Sequence, residues 1–134
     1  MPFHPQVIAF RDKRVALKLA PNSEVSPAQA RENSRIWRAA IPSDLEPVGE
    51  ITDRTIPGPA GDLPIRIYRP DSEGPHPLLR LFHGGGWLIG DLDHEDPSSR
   101  RMCNQLNAVV VSVDYRLAPE HRFPAAAADC YKAT

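Results

Sequence analysis

Between Leu81 and Asp91 the chain reads LFHGGGWLIGD: three adjacent glycines behind an apolar run and ahead of a tryptophan. Bare backbone is needed where N–H groups must come close to negative charge. Two such charges are a bound phosphate and the oxygen of an acyl carbonyl as it turns tetrahedral. Spacing excludes the first. With glycines at 84, 85, 86 and 90, Ile89 stands where GxGxxG requires glycine. A Walker-type loop would continue with Lys and Ser or Thr, whereas Gly90 is followed by Asp91 and Leu92. The four acids between Asp91 and Asp96 would also repel a phosphate. A tight turn is the plain alternative, but one turn does not require three adjacent glycines. Oxyanion chemistry is the reading that uses all of them.

Other reactive side chains are better explained by structure. The run DLDHED, Asp91 to Asp96, carries groups that suit a hard or borderline cation. An EF-hand needs glycine at loop position six and glutamate at twelve, and counting from Asp91 these are Asp96 and Met102. The run reads instead as a solvated acidic loop, with Asp96 capping the helix that follows. No metal or other cofactor is expected. No serine lies in a GxSxG elbow. Ser112 falls within an apolar strand, where a hydroxyl bonded to backbone is expected. Ser98 and Ser99 open a helix, where capping and first-turn solvation explain them despite His94 nearby in sequence. His4 and His76 read as surface residues.

The elements that must position the glycines can be read from periodicity and turn signals. Apolar residues from Pro5 to Leu19 fit a helix, with Arg11 to Arg14 and Lys18 on a wet face. SPAQ, Ser26 to Gln29, starts a second helix: Ser26 caps, Pro27 takes the first position, and Gln29 completes a capping box. That helix should reach about Arg38. After a break near Pro47, EITDRTIPGPAGDLPIRIYRP reads as two antiparallel strands with Leu63, Ile65 and Ile67 on one face. HPLLRLFH and NAVVVSVDY are nearly continuous apolar runs, as expected of parallel strands covered on both faces. Between them a helix starts with Asp96 as cap and Pro97 at the first position, placing Met102, Cys103 and Leu106 on one side. Strand, helix and strand make a right-handed crossover unit. A last helix begins near Pro124. The expected division is a helical segment over 1–46 and a sheet-bearing segment over 47–134.

Composition narrows the partners. A formal net charge of -1 with 41% hydrophobic residues suits a globular chain acting on small neutral molecules, without the basic excess of nucleic-acid binders. No apolar run reaches the length of a membrane span. Cys103 and Cys130 have no CxxC spacing and no leader precedes them, so free thiols in the cytoplasm are expected.

HGGGW after an apolar strand, then GDLD, then VVVSVDYRLAPEHRFPAA, resembles the hormone-sensitive lipase-like bacterial carboxylesterases of the α/β-hydrolase fold. The resemblance covers nearly the whole chain. It implies an α/β fold: the N-terminal part of an α/β-hydrolase, with two cap helices, an antiparallel hairpin and a parallel strand-helix-strand unit. It also implies carboxylic ester hydrolysis, with a small-molecule ester as substrate. His83 matches the motif histidine, and Gly84, Gly85 and Gly86 its glycines. On this reading Gly85 and Gly86 offer N–H groups to the oxyanion, Gly84 allows the turn, and His83 holds the loop through ring hydrogen bonds. Trp87 is a candidate wall of the acyl pocket, with plain packing as the alternative.

In the family's order the GxSxG nucleophile, the acid and the histidine all follow the helix near Thr134, so His121 lies too early to be the base. The chain alone is therefore expected to be a truncated fragment, close to inactive. The family's strand order is first, second, fourth, third, which puts the glycine-bearing strand at an open edge. Such an edge suits self-association or pairing with the missing C-terminal half. Two residues depart from the family. Arg80 sits mid-strand and needs either an acidic partner or an uncovered face, and Glu95 stands where histidine is common.

Overall fold

The computed structural model describes residues 2–41 and 43–134, which form two compact units, Met1–Pro42 and Ser43–Thr134. The first unit is helical. Helix α1, Pro5–Ala16, stops short of the expected Leu19, and its cap is His4, whose Nδ1 accepts from the Gln6 N–H. Helix α2, Pro27–Ala40, starts as expected, with the Ser26 hydroxyl accepting from the Gln29 N–H at 3.2 Å. Such a cap is worth about 1 kcal/mol. The Gln29 side chain is aimed forward, donating to the Asn33 side chain, which donates in turn to the Ala20 carbonyl. Phe10 meets Trp37 edge to face, with ring centroids 4.9 Å apart, joining α1 to α2.

The second unit is a four-stranded sheet: β1 Glu50–Gly58, β2 Gly61–Arg69, β3 Leu78–Phe82 and β4 Val109–Val113. Helix α3, Leu92–Leu106, connects β3 to β4, and helix α4, Ala125–Lys132, follows. The order across the sheet is β1-β2-β4-β3, as the family order implied. β1 and β2 form an antiparallel hairpin, and β3 lies parallel to β4 with Phe82 opposite Val113. Leu63, Ile65 and Val113 share one face with Ile67 and Val111, and Ala133 at the end of α4 packs against them. Tyr68, Val110 and Cys103 form the core of the other face, beneath α3. Leu106 is exposed and does not join Cys103 as expected.

β4 is covered on both faces. β3 is one-sided: Leu79 and Leu81 pack toward α3, while Leu78, Arg80 and Phe82 are exposed. Arg80 therefore needs no burial, because its face of the sheet is uncovered at that edge. Ser112 is fully buried in β4, but its hydroxyl has no hydrogen-bond partner, contrary to the expected backbone bond.

Helix α3 starts five residues earlier than expected. Asp91 is its cap, accepting from the His94 N–H at 2.6 Å, and Pro97 lies inside the helix. DLDHED is consequently a capped helical turn and not a loop. Asp96 is buried, not a cap. It accepts from the Tyr68 hydroxyl at 2.9 Å and from the Arg100 Nε at 2.8 Å. Arg66 reaches across the same face to Asp53 and Asp93. These bonds pin α3 to the sheet. Burial first, then Asp96, pushes the Tyr68 phenol well up, so it remains a donor throughout the ordinary pH range.

Helix α4 is tied to the segment after β4 by a forked ion pair. Arg116 Nε and its terminal nitrogen donate to Asp129 at 2.8 and 2.7 Å, and its backbone N–H donates to the same carboxylate. Burial alone would raise the Asp129 carboxyl, but the Arg116 bonds outweigh it and hold it below the ordinary carboxylate range. The ionised form thus favours the folded state. Its contribution is full above the unfolded value of about 3.9 and is lost as pH falls through the lower folded value. In urea titrations, wild type should lose stability over that acid window more steeply than Asp129→Asn, which lacks this group. Identical slopes would exclude the ion pair as a source of acid sensitivity.

Candidate active site

The parallel register that sets Phe82 opposite Val113 delivers the next residues of both strands to one end of the sheet. His83 is buried there against Tyr115, with the two rings stacked at 4.2 Å between centroids and 14° between planes. The Tyr115 hydroxyl donates to the His83 carbonyl. Burial raises the Tyr115 phenol, keeping it protonated as that bond requires. The His83 Nδ1 lies 2.9 Å from the Gly84 carbonyl, and since a carbonyl only accepts, that nitrogen carries the proton. His83 Nε2 is buried without a partner. Burial also raises the neighbouring Asp114 carboxyl, partly opposed by His83.

Beyond His83 the backbone turns sharply. The Gly85 carbonyl accepts from both Leu88 and Ile89 N–H groups at 3.2 Å, and the Trp87 carbonyl accepts from Ala118. Gly85, Gly86 and Gly90 have φ of 131°, 61° and 111°, where side chains are strained. Gly84 does not, so it is not the residue that permits the turn. A Cβ on Gly85 would stand 2.0 Å from the Ile89 carbonyl oxygen, and one on Gly90 2.1 Å from His83 Nδ1. Around Gly84 and Gly86 a Cβ would meet nothing within 4 Å. Among the described residues, the N–H groups of Gly84, Gly85 and Gly86 donate no hydrogen bond.

Trp87 is 65% exposed, at a φ of 58° that is uncommon for an aromatic residue. It lines an apolar cavity of about 440 Å³ together with Gly86, Ala118, His121, Phe123 and Ala126. The sequence left Trp87 open between a pocket wall and plain packing, and the cavity's opposite wall was missed. The signal was the proximity of APEHRFPAA to the end of β4, which brings that segment to the same end of the sheet as the glycines. His121 thus joins the cavity wall through its position after β4. His94 is exposed on the first turn of α3 whereas Ser99 is completely buried, so they form no reactive pair.

Residues 79–134 match the protein family described as alpha/beta hydrolase fold. Together with the mixed sheet and its glycine loop, this defines the class. The chain belongs to the α/β-hydrolase fold, in the hormone-sensitive lipase-like branch of carboxylesterases. It is 37% identical over 134 residues to the arylesterase of Saccharolobus solfataricus, covering 99% of this chain and 43% of that one. It is 54% identical over 84 residues to the carboxylic ester hydrolase LipN of Mycobacterium tuberculosis, 63% of this chain and 22% of that one. The hyperthermophilic esterase of the archaeon Pyrobaculum calidifontis superposes with a TM-score of 0.85 at 37% identity, over 99% of this chain and 42% of that structure. The chain spans less than half the length of each of these relatives.

The glycines separate by what they meet. Gly84→Ala should change unfolding stability by less than about 0.5 kcal/mol, as an open site with ordinary φ allows. Gly85→Ala and Gly90→Ala should each cost about 2 kcal/mol or more, from backbone strain and collision. Urea denaturation of the three variants measures this, and equal losses in all three would overturn the distinction.

Proposed function

We propose that this chain supplies the oxyanion hole of a carboxylic ester hydrolase, with Gly85 and Gly86 as N–H donors and Gly84 leaving room for the acyl group. The observation that carries this is the row of three N–H groups, directly after a strand end, that find no acceptor among the described residues. Such donors act when an ester carbonyl becomes tetrahedral and its oxygen takes up charge, and each is worth roughly a hundredfold to a thousandfold in rate. His83 holds the loop in shape and does not transfer a proton. Trp87 forms one wall of the acyl pocket, and the apolar cavity beside it supports a small-molecule ester as substrate. Residues 1–46 serve as the cap. Two free thiols support a cytoplasmic setting.

The nucleophile, acid and base of an acyl-enzyme mechanism are not assigned to any of these 134 residues, because no serine stands in GxSxG. The chain alone should hydrolyse p-nitrophenyl acetate and butyrate close to the uncatalysed rate. Mixing it with the unmatched part of a related esterase should restore turnover by at least a hundredfold. Enzyme-like turnover by the chain alone, surviving Ser98→Ala and Ser99→Ala, would overturn this assignment.

A second reading is favoured by the open edge of β3, where Leu78 is 57% exposed. That edge offers unpaired backbone groups beside apolar side chains, a template for another strand. The chain would then act by pairing, with its own complement or with a second copy. Size-exclusion chromatography should give a species larger than 14.9 kDa. Phe82→Lys, which puts charge on the exposed face, should shift it toward the monomer. A well-behaved wild-type monomer at high concentration would remove this reading.

A further inference from the structure

We propose that Tyr115 is the positioning residue of the glycine loop, fixing the Gly84 N–H through the His83 carbonyl and the Gly85 N–H through the imidazole on which its ring stacks. The proposal takes its purpose from the oxyanion reading, but its physical content stands on bonds around the loop.

A trans peptide is planar, with the carbonyl of one residue and the N–H of the next pointing in opposite directions. Holding a carbonyl therefore aims the following N–H. Three successive carbonyls in this loop are held, each by a different donor. The Tyr115 hydroxyl holds the His83 carbonyl and aims the Gly84 N–H. The His83 Nδ1 holds the Gly84 carbonyl and aims the Gly85 N–H. The N–H groups of Leu88 and Ile89 hold the Gly85 carbonyl and aim the Gly86 N–H. The row of free donors is thus the reverse side of a row of satisfied acceptors.

Tyr115 contributes to two of the three planes. Its hydroxyl acts on the first, and its ring, stacked on the imidazole, keeps the donor of the second in place. Gly90 comes so close to His83 Nδ1 that no side chain fits between them, which confines the imidazole further. Tyr115 is itself 5% exposed and lies two residues beyond the end of β4, so the loop is referenced to the most buried strand of the sheet. The third plane depends only on the loop's own turn.

This division predicts a graded response in ¹⁵N relaxation of the substrate-free chain. In wild type the amides of Gly84, Gly85 and Gly86 should be rigid, with order parameters of about 0.85. Tyr115→Phe keeps the stack but removes the hydroxyl, and should drop Gly84 below about 0.6 while Gly85 and Gly86 hold. Tyr115→Leu removes both contacts and should free Gly84 and Gly85 together, leaving Gly86 rigid. Unchanged Gly84 in Tyr115→Phe would overturn the proposal. So would loosening of all three glycines in step with the amides of Val110 to Val113, the mark of a merely structural role. A measurement on wild type requires no variant: the His83 ring ¹⁵N shifts should report a proton on Nδ1, and a proton on Nε2 alone would break the second link. None of these readouts involves an ester, so failure of turnover to recover on mixing with the unmatched part of a related esterase would count against the oxyanion reading and leave this one standing.

Discussion

The parallel register of β3 on β4 is the constraint from which the site follows. Because Phe82 sits opposite Val113, both strands end together, and residue 83 arrives beside residues 114 and 115. A slip of one residue would turn every side chain of β3 to the opposite face and carry His83 away from Tyr115. The register is held by Leu79 and Leu81, which face Val110 and Cys103 beneath α3. That packing depends in turn on α3 being pinned by Asp96 to Tyr68 and by Asp93 to Arg66. Acids that sequence reading placed in a solvated loop are thus what holds the glycine-bearing strand in line.

Much of this was legible because the signals were local. Ser26 followed by proline and glutamine announces a helix start. The alternation of Leu63, Ile65 and Ile67 sets one face of β2, and the apolar run of β4 sets its burial. The strand order was legible through resemblance. What escaped depends on partners distant in sequence. Tyr68 and Asp96 are 28 positions apart, and Tyr115 and His83 are 32. Neither tyrosine has a periodicity that betrays its partner.

The start of α3 was misread for a different reason. Proline is favoured at the first helical position, so Asp96-Pro97 looked like a cap and its proline. Asp91 is an equally good cap, and its aspartate does bond the His94 N–H. Pro97 has no N–H to offer the Asp93 carbonyl, a loss an early turn of a helix can bear when its side chains are tied down elsewhere. Here they are tied by Arg66, Tyr68 and Arg100. Tertiary bonds overrode a local preference. The same holds for β3, whose apolar sequence implied two covered faces although its outer face, with Leu78, Arg80 and Phe82, is open.

The glycines themselves divide into two physical kinds, which composition alone cannot separate. Gly85 and Gly90 are demanded by the fold, since any side chain there would collide with backbone or with the imidazole. Gly84 is not demanded by the fold at all. Its φ suits any residue, and its surroundings are open. The fold therefore does not account for the glycine at that position. The turn is built from Gly85, Gly86 and Gly90 around a buried histidine, and Gly84 stands apart from it, between the end of β3 and the first strained glycine, with open space where a side chain would go.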